Sequence, residues 1–217
     1  REAQEAFAVE SHTRATKAEN SGFFAEEIVP IETADGTVDA DECIRPDTNA
    51  EILSGLRPAF KTAGTVTAGT SSPLTDGAAF VLVCSEEFAI DHNLTPLARI
   101  VSTAVSGCAP EVMGIGPVEA TKKALDRAGL SIEEIDIIEL NEAFAAQTCA
   151  VNQELGWDPD KVNVNGGAIA LGHPLGATGA RLMTTMLNEL ERTGGRYGLQ
   201  TMCEGGGQAN VTILERL

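Results

Sequence analysis

The chain has 217 residues, 43% of them hydrophobic, with 22 glycines and 9 prolines, a composition that suits an ordinary globular protein of one or two domains with a real core. Fifteen basic residues against thirty-two acidic ones give a formal charge of -17, which excludes recognition of nucleic acid or of an anionic membrane surface through bulk charge. No apolar run approaches the ~20 residues that span a bilayer. Five widely spaced cysteines with no Cys-x-x-Cys pair read as a reduced intracellular protein rather than a disulfide scaffold.

The first stretch, "REAQEAFAVESHTRATKAEN", has the pattern of a mid-chain amphipathic helix rather than a leader. Phe7, Ala8 and Ala15 fall on one face, Gly22 is the expected stop, and without an initiator Met the segment is expected to lie inside a longer protein. "FFAEEIVPIE" then reads as a strand. From Asp35 to Thr70 the pattern is irregular and rich in Asp, Thr, Gly and Pro, as in an excursion between domains. In "LTDGAAFVLVCSEEFAIDH" a short helix is expected to start near Asp76 and Gly77; the apolar run up to Cys84 either continues it or forms a buried strand.

A new block opens with the strand-like "LARIVSTAVSGC" and a helix, "GPVEATKKALDRAGL", begun by Gly116 and Pro117 and closed by Gly129. Ser131 and Glu134 make a capping box ahead of the apolar strand "IDIIEL". "NEAFAAQTCAVNQEL" is expected to be a helix. After "VNVNGG" and the glycine-rich "AIALGHPLG" comes another helix, "ATGARLMTTMLNELER", then the strands "GRYGLQTMC" and "GGQANVTILERL". Strands alternating with helices of ten or more residues imply a layered α/β domain whose binding sites lie at strand-to-helix turns.

Three polar residues stand at expected strand ends in this block: Asn141 after "IDIIEL", His173 after "AIALG" and Cys203 after "GLQTM". Placed at turns on one sheet edge, they would give an imidazole base, a thiol and a carboxamide donor, a set suited to acyl chemistry. Taken singly each has a duller reading. Asn141 suits an N-cap, His173 before Pro174 suits a turn, and Cys203 suits a small buried hydrophobe. One Cys and one His without local partners make no case for a metal. The glycines of "NGGAIALGHPLG" and "CEGGG" imply backbone that turns tightly or is closely approached, with amides free to face an oxyanion. The spacing matches neither a dinucleotide nor a Walker loop.

"NEAFAAQ" at 141–147, "NGGAIALGHPLGATGAR" at 165–181 and "CEGGG" at 203–207 resemble the three C-terminal signature blocks of the thiolase family, and "GTVTAGTSSPLTDGAA" at 64–79 is similar to its coenzyme A loop. The resemblance implies a thiolase-like layered α/β/α fold. Residues 1–74 would be a partial loop domain, 75–94 the end of the N-terminal domain, and 95–217 the C-terminal domain. His173 would activate the nucleophilic cysteine and bind the thioester oxygen, with Asn141 positioning a water in that first oxyanion hole. Cys203 would be the acid/base, the Gly205 amide part of a second oxyanion hole, Phe144 a wall of the pantetheine tunnel, and Ser72 a hydrogen-bond partner of the pantetheine.

The resemblance further implies acyl-CoA and coenzyme A as substrates, no cofactor beyond them, and a homodimer or homotetramer. The reaction would be cleavage of 3-oxoacyl-CoA or the reverse Claisen condensation through an acyl-cysteine. The family's nucleophilic cysteine lies earlier than the region where this chain begins, so Cys43, Cys84, Cys108 and Cys149 are each read as structural, and the chain by itself is expected to be inactive. Glu204 stands where the family commonly has an apolar residue. Two alternatives stay open: a non-catalytic thiolase-like protein that holds acyl-CoA or lipid, and a β-ketoacyl synthase relative, which would need a histidine in place of Cys203.

Overall fold

The computed structural model describes residues 1–217. Helix α1 (Glu2–Asn20) buries Ala8, Ser11, Ala15 and Ala18, spaced three and four residues apart, and stops at Gly22, whose φ is 74°. The segment 23–32 is not the expected strand. Residues 21–27 form successive turns, with the amides of Ala25 and Glu27 bonded back to the carbonyls of Gly22 and Phe24. Phe24, 5% exposed, turns inward against Ala15, Ala18 and Leu171, and that contact overrides the strand propensity of its neighbours. Only Ile31 and Glu32 enter the small hairpin of β1 (Ile31–Thr33) and β2 (Gly36–Val38).

Residues 35–70 are irregular apart from β2, the single turn of α2 (Ala50–Ser54), capped by Asn49, and a 3-10 turn at Ala68–Thr70. The run 72–85 adopts neither of its expected forms. It is extended and unpaired, with Phe80 90%, Leu82 76% and Val83 67% exposed. Aromatic and β-branched residues favour extended backbone there, and no strand of these residues lies beside it to complete a ladder. The short α3 (Glu86–Asp91) follows, begun by Ser85, whose hydroxyl accepts the Phe88 amide at 3.1 Å.

The remaining elements are β3 (Ala98–Gly107), α4 (Gly116–Ala128), β4 (Ile137–Leu140), α5 (Ala145–Leu155), α6 (Ala168–Leu171), α7 (Thr178–Thr193), β5 (Tyr197–Glu204) and β6 (Gln208–Arg216). Gly116, Pro117 and Gly129 bound α4 as the sequence predicts, and Ser131 and Glu134 form their capping box. The sheet runs β3–β6–β5–β4, antiparallel except for the parallel β4–β5 pair, and Val162 adds a bridge outside Ile138.

Alternation puts Ile138, Leu140, Leu199, Val211 and Ile213 under α4, and Ile137 and Leu214 under Met186 and Leu190 of α7. Two helices thus sandwich one sheet, the α/β layering expected from the alternating pattern. Helix α1 packs across α5 and α6 and brings the N-terminal segment up to the glycine-rich loop. No helix is long and apolar enough to cross a membrane.

Candidate active site

The glycine-rich loop is approached first of all by the chain itself. Glu142, buried just after β4, accepts the Ser11 hydroxyl at 2.6 Å, the Asn163 amide at 2.9 Å and the Ile169 backbone N–H at 3.1 Å. Burial pushes its carboxyl up, and the bonds from Ser11, Asn163 and Ile169 work against that. A Cβ at Gly167 would run into this carboxylate, and one at Gly166 would meet Ser11 and Ala15 of α1. These glycines let the loop close on a buried acid and on α1.

That strut aims His173. "AIAL" is not the expected strand but the single turn α6, so the histidine leaves a helix end and enters the loop before α7. Its amide donates to Thr75 Oγ1 at 3.3 Å, and its Nδ1 lies 2.7 Å from Thr178 Oγ1. The Thr178 hydroxyl spends its proton on the Pro174 carbonyl at 2.9 Å, so it must accept from the imidazole: Nδ1 carries the proton and Nε2 presents a lone pair. The Asn141 Nδ2 donor sits 3.3 Å from that Nε2. Burial lowers the pKa of His173, and the Arg181 cation lowers it further.

Asn141 therefore does not cap α5, whose N-cap is Phe144. Its backbone N–H extends the sheet by bonding the Thr201 carbonyl at 3.0 Å, its side chain is fully buried, and its Oδ1 has no partner. Cys203 lies within β5, paired with Ala209, rather than in a turn after the strand. It is 6% exposed, and burial, with Cys108 and Glu204 adding to it, pushes the thiol up to about 11.

His173 and Cys203 line one cavity of about 730 Å³. Ser72, Phe144, Met113 and Gly205 share its wall. Five of the six residues singled out in the sequence thus face a common space, and Asn141 stands behind His173. The Ser72 hydroxyl and amide both bond the Ala143 carbonyl, at 3.3 and 3.1 Å, which ties the 72–85 run to the start of α5. Phe144 meets Phe60 edge to face, with centroids 6.0 Å apart.

A Cβ at Gly205 would touch nothing, so the steric need for glycine lies next door. Gly207 has φ 88°, and a Cβ there would strike the Cys108 carbonyl. Glu204 accepts from Asn210 Nδ2 at 2.6 Å and faces the cavity. Cys43, Cys84, Cys108 and Cys149 line no part of it, and Cys84 is exposed rather than packed. Sequence reasoning passed over Thr75, Thr178 and Glu142. Of these, only Thr178 carried a signal, as the first hydroxyl of the helix that His173 precedes.

Fold and site together define a layered α/β protein that sets a thiol and a neutral imidazole against one cavity, with a carboxamide behind the ring. Residues 1–87 match the family description "Thiolase, N-terminal domain", and residues 94–216 match "Thiolase, C-terminal domain". The chain belongs to the thiolase family and has its fold. It is 53% identical over 221 aligned residues to acetyl-CoA acetyltransferase of Shinella zoogloeoides, covering 100% of this chain and 56% of that protein. It is 56% identical over 225 to 3-ketoacyl-CoA thiolase of Vibrio vulnificus strain CMCP6, covering 100% and 58%. The crystal structure of the Bacillus anthracis acetyl-CoA acetyltransferase superposes with TM-score 0.95 at 47% identity, over 100% of this chain and 56% of that one. That of human mitochondrial 3-ketoacyl-CoA thiolase in complex with CoA gives 0.93 at 44%, over 100% and 55%. The chain spans about half the length of the relatives it matches.

Proposed function

We propose that these residues form the thioester-holding and proton-transfer half of an acyl-CoA C-acyltransferase, a thiolase that cleaves 3-oxoacyl-CoA with coenzyme A or runs the reverse condensation of acetyl-CoA. One observation carries this reading: an imidazole held at Nδ1 by Thr178 and a buried thiol share one cavity, whose wall also includes residues 72–76. His173 takes the proton of the nucleophilic thiol at Nε2; the N–H so formed then donates to the thioester oxygen. Asn141, with Oδ1 otherwise unpartnered, holds a water beside that oxygen.

In cleavage, the nucleophile's sulfur bonds to the 3-oxo carbon, and the C2–C3 electron pair leaves as the acetyl-CoA enolate. Cys203 donates its proton to C2, and the Gly205 amide faces the enolate oxygen. The Cys203 thiolate then takes the proton of the coenzyme A thiol, whose sulfur accepts the acyl group from the nucleophile, and the nucleophile's sulfur recovers its proton from His173. A thiol held near 11 keeps its proton at neutral pH until the enolate needs it, and as thiolate it is a strong base for the reverse step. Phe144 walls the pantetheine channel, and Ser72 bonds to the pantetheine.

Cys203 is the one cysteine lining the cavity, so the acyl-accepting thiolate comes from outside these residues, and the chain by itself carries no turnover. We assign residues 1–74 to the loop domain, 75–94 to the end of the N-terminal domain and 95–217 to the C-terminal domain of a reduced, intracellular homodimer or homotetramer. A protein that only held acyl-CoA would need neither an imidazole with Nε2 unprotonated nor a buried thiol. In the whole enzyme, Cys203→Ser should still become acylated by acetyl-CoA, while deuterium exchange into the acetyl methyl group falls by at least ~10²-fold. Unchanged exchange would remove Cys203 as the acid/base, and an unacylated wild type would remove the acyltransferase reading.

A further inference from the structure

Behind the imidazole lies a second link between the same two elements. Glu139 and Asn141 are two residues apart on β4 and its continuation, so they face the same side of the sheet. Thr178 and Arg181 are three apart on α7, on one helix face. The outer link runs Asn141–His173–Thr178, through contacts of 3.3 and 2.7 Å. The inner link is an ion pair, Arg181 Nη1 to Glu139 Oε2 at 3.6 Å.

Glu139 is fully buried and neither of its oxygens has a hydrogen-bond partner; Arg181 Nη1 and Nη2 are likewise without acceptors. Each group therefore has the other as its main counterpart. Burial pushes the Glu139 carboxyl up to about 8; Arg181 alone works against this, while Glu27, Glu142 and Glu189 add to it, so the carboxyl is largely neutral below about pH 8. Such a pair is a poor stabiliser, because desolvating both charges offsets their attraction and an apolar pair of similar volume would serve stability as well. What it supplies is position: it fixes the first turn of α7 against β4, one helical turn from the threonine that orients the imidazole.

We infer that Arg181, anchored on Glu139, is a positioning residue for His173, locking α7 to β4 so that the imidazole stays between Thr178 and Asn141. The inference rests on the thiolase reading for its effect on turnover, but not for its effect on the ring. The charged and titratable groups about His173 are Arg181 from α7, Glu139 behind it on β4, Cys203 and Glu204 from β5, and Asp76 from the 72–85 run. Removing the cation favours imidazolium, whereas replacing Glu139, largely neutral below about pH 8, by Gln leaves the charge about the ring nearly unchanged.

Two readouts on the whole enzyme test this. Diethylpyrocarbonate modifies neutral imidazole, and peptide mass spectrometry follows it at His173 between about pH 4 and 8, whether or not the protein turns over. Arg181→Met should move the His173 midpoint up by several tenths on the pH scale, whereas Glu139→Gln and Arg181→Lys should leave it in place; His12 reports an intact fold in each. In thiolysis, Arg181→Met should lower kcat by ~10–100-fold with KM for coenzyme A within about twofold, and Arg181→Lys should recover most of it. Midpoint and kcat unchanged in Arg181→Met, or a midpoint raised as far in Arg181→Lys as in Arg181→Met, would overturn the inference. Should Arg181→Met not fold, Arg181→Gln, uncharged and polar, is read through the same midpoint and kcat with the same two outcomes. A wild type without thiolysis would sink the proposed function, and the modification arm would still decide the positioning role.

Discussion

At His173 the protonation pattern follows from a threonine five residues onward. Thr178 has one hydroxyl proton, gives it to the Pro174 carbonyl, and so accepts from Nδ1, which leaves Nε2 unprotonated beside the Asn141 Nδ2 donor. Across the cavity the environment works on the thiol in the opposite sense, because burial favours the neutral form of Cys203 and holds it near 11. The sign of the consequence is clear: the thiolate fraction is lost at neutral pH and regained only as pH climbs through that value. Alkylation of Cys203 by iodoacetamide, followed by peptide mass spectrometry, should be slower at neutral pH than that of exposed Cys84 and should keep rising toward about pH 11. A plateau by about pH 8.5, the value for an unperturbed thiol, would contradict the burial argument. The imidazole, the carboxamide and the thiol were legible in the sequence because glycines and apolar runs bracket them. Glu142 and the Glu139–Arg181 pair were not, since a charged side chain near an element end usually faces water, and only the packing of α1 and α7 on the sheet buries these.

Among the elements, those whose ends carry their own chemistry were readable. Helix α4 runs between Gly116 and Gly129 as its sequence dictates, and β3 to β6 fall where the apolar runs lie. The segments that misled, 23–32, 72–85 and "AIAL", are short apolar runs that suit more than one backbone form, and contacts distant in sequence decide among them. Phe24 tucks against α1 and Leu171; Ala168, Ile169, Ala170 and Leu171 are all buried and wind around the Glu142 carboxylate. The loop glycines divide in the same manner, some serving the fold and others leaving room at the cavity. Gly167→Ala should lower stability by about 1–3 kcal/mol, as overpacking against a buried group does, and shift the urea midpoint accordingly. Gly205→Ala should leave that midpoint unchanged, because a methyl there meets open space. Equal effects of the two would mean that Glu142 is not the strut described.

For the molecule as a whole, alternation of strands with helices was enough to give the layered α/β class. The order β3–β6–β5–β4 was not legible, since nothing in a strand's own residues says which neighbour it takes. With a formal charge of -17 the chain repels anions at long range, so any hold on coenzyme A phosphates must come from local donors. The account rests on one thioester meeting His173, Asn141 and Cys203 together. A crystal structure of the whole enzyme with acetyl-CoA tests that most directly. The thioester oxygen should lie within hydrogen-bonding distance of His173 Nε2 and of a water on Asn141, with the methyl carbon beside Cys203 Sγ. A thioester seated away from the cavity between Phe144 and Cys203, or with its methyl turned from the sulfur, would contradict the account.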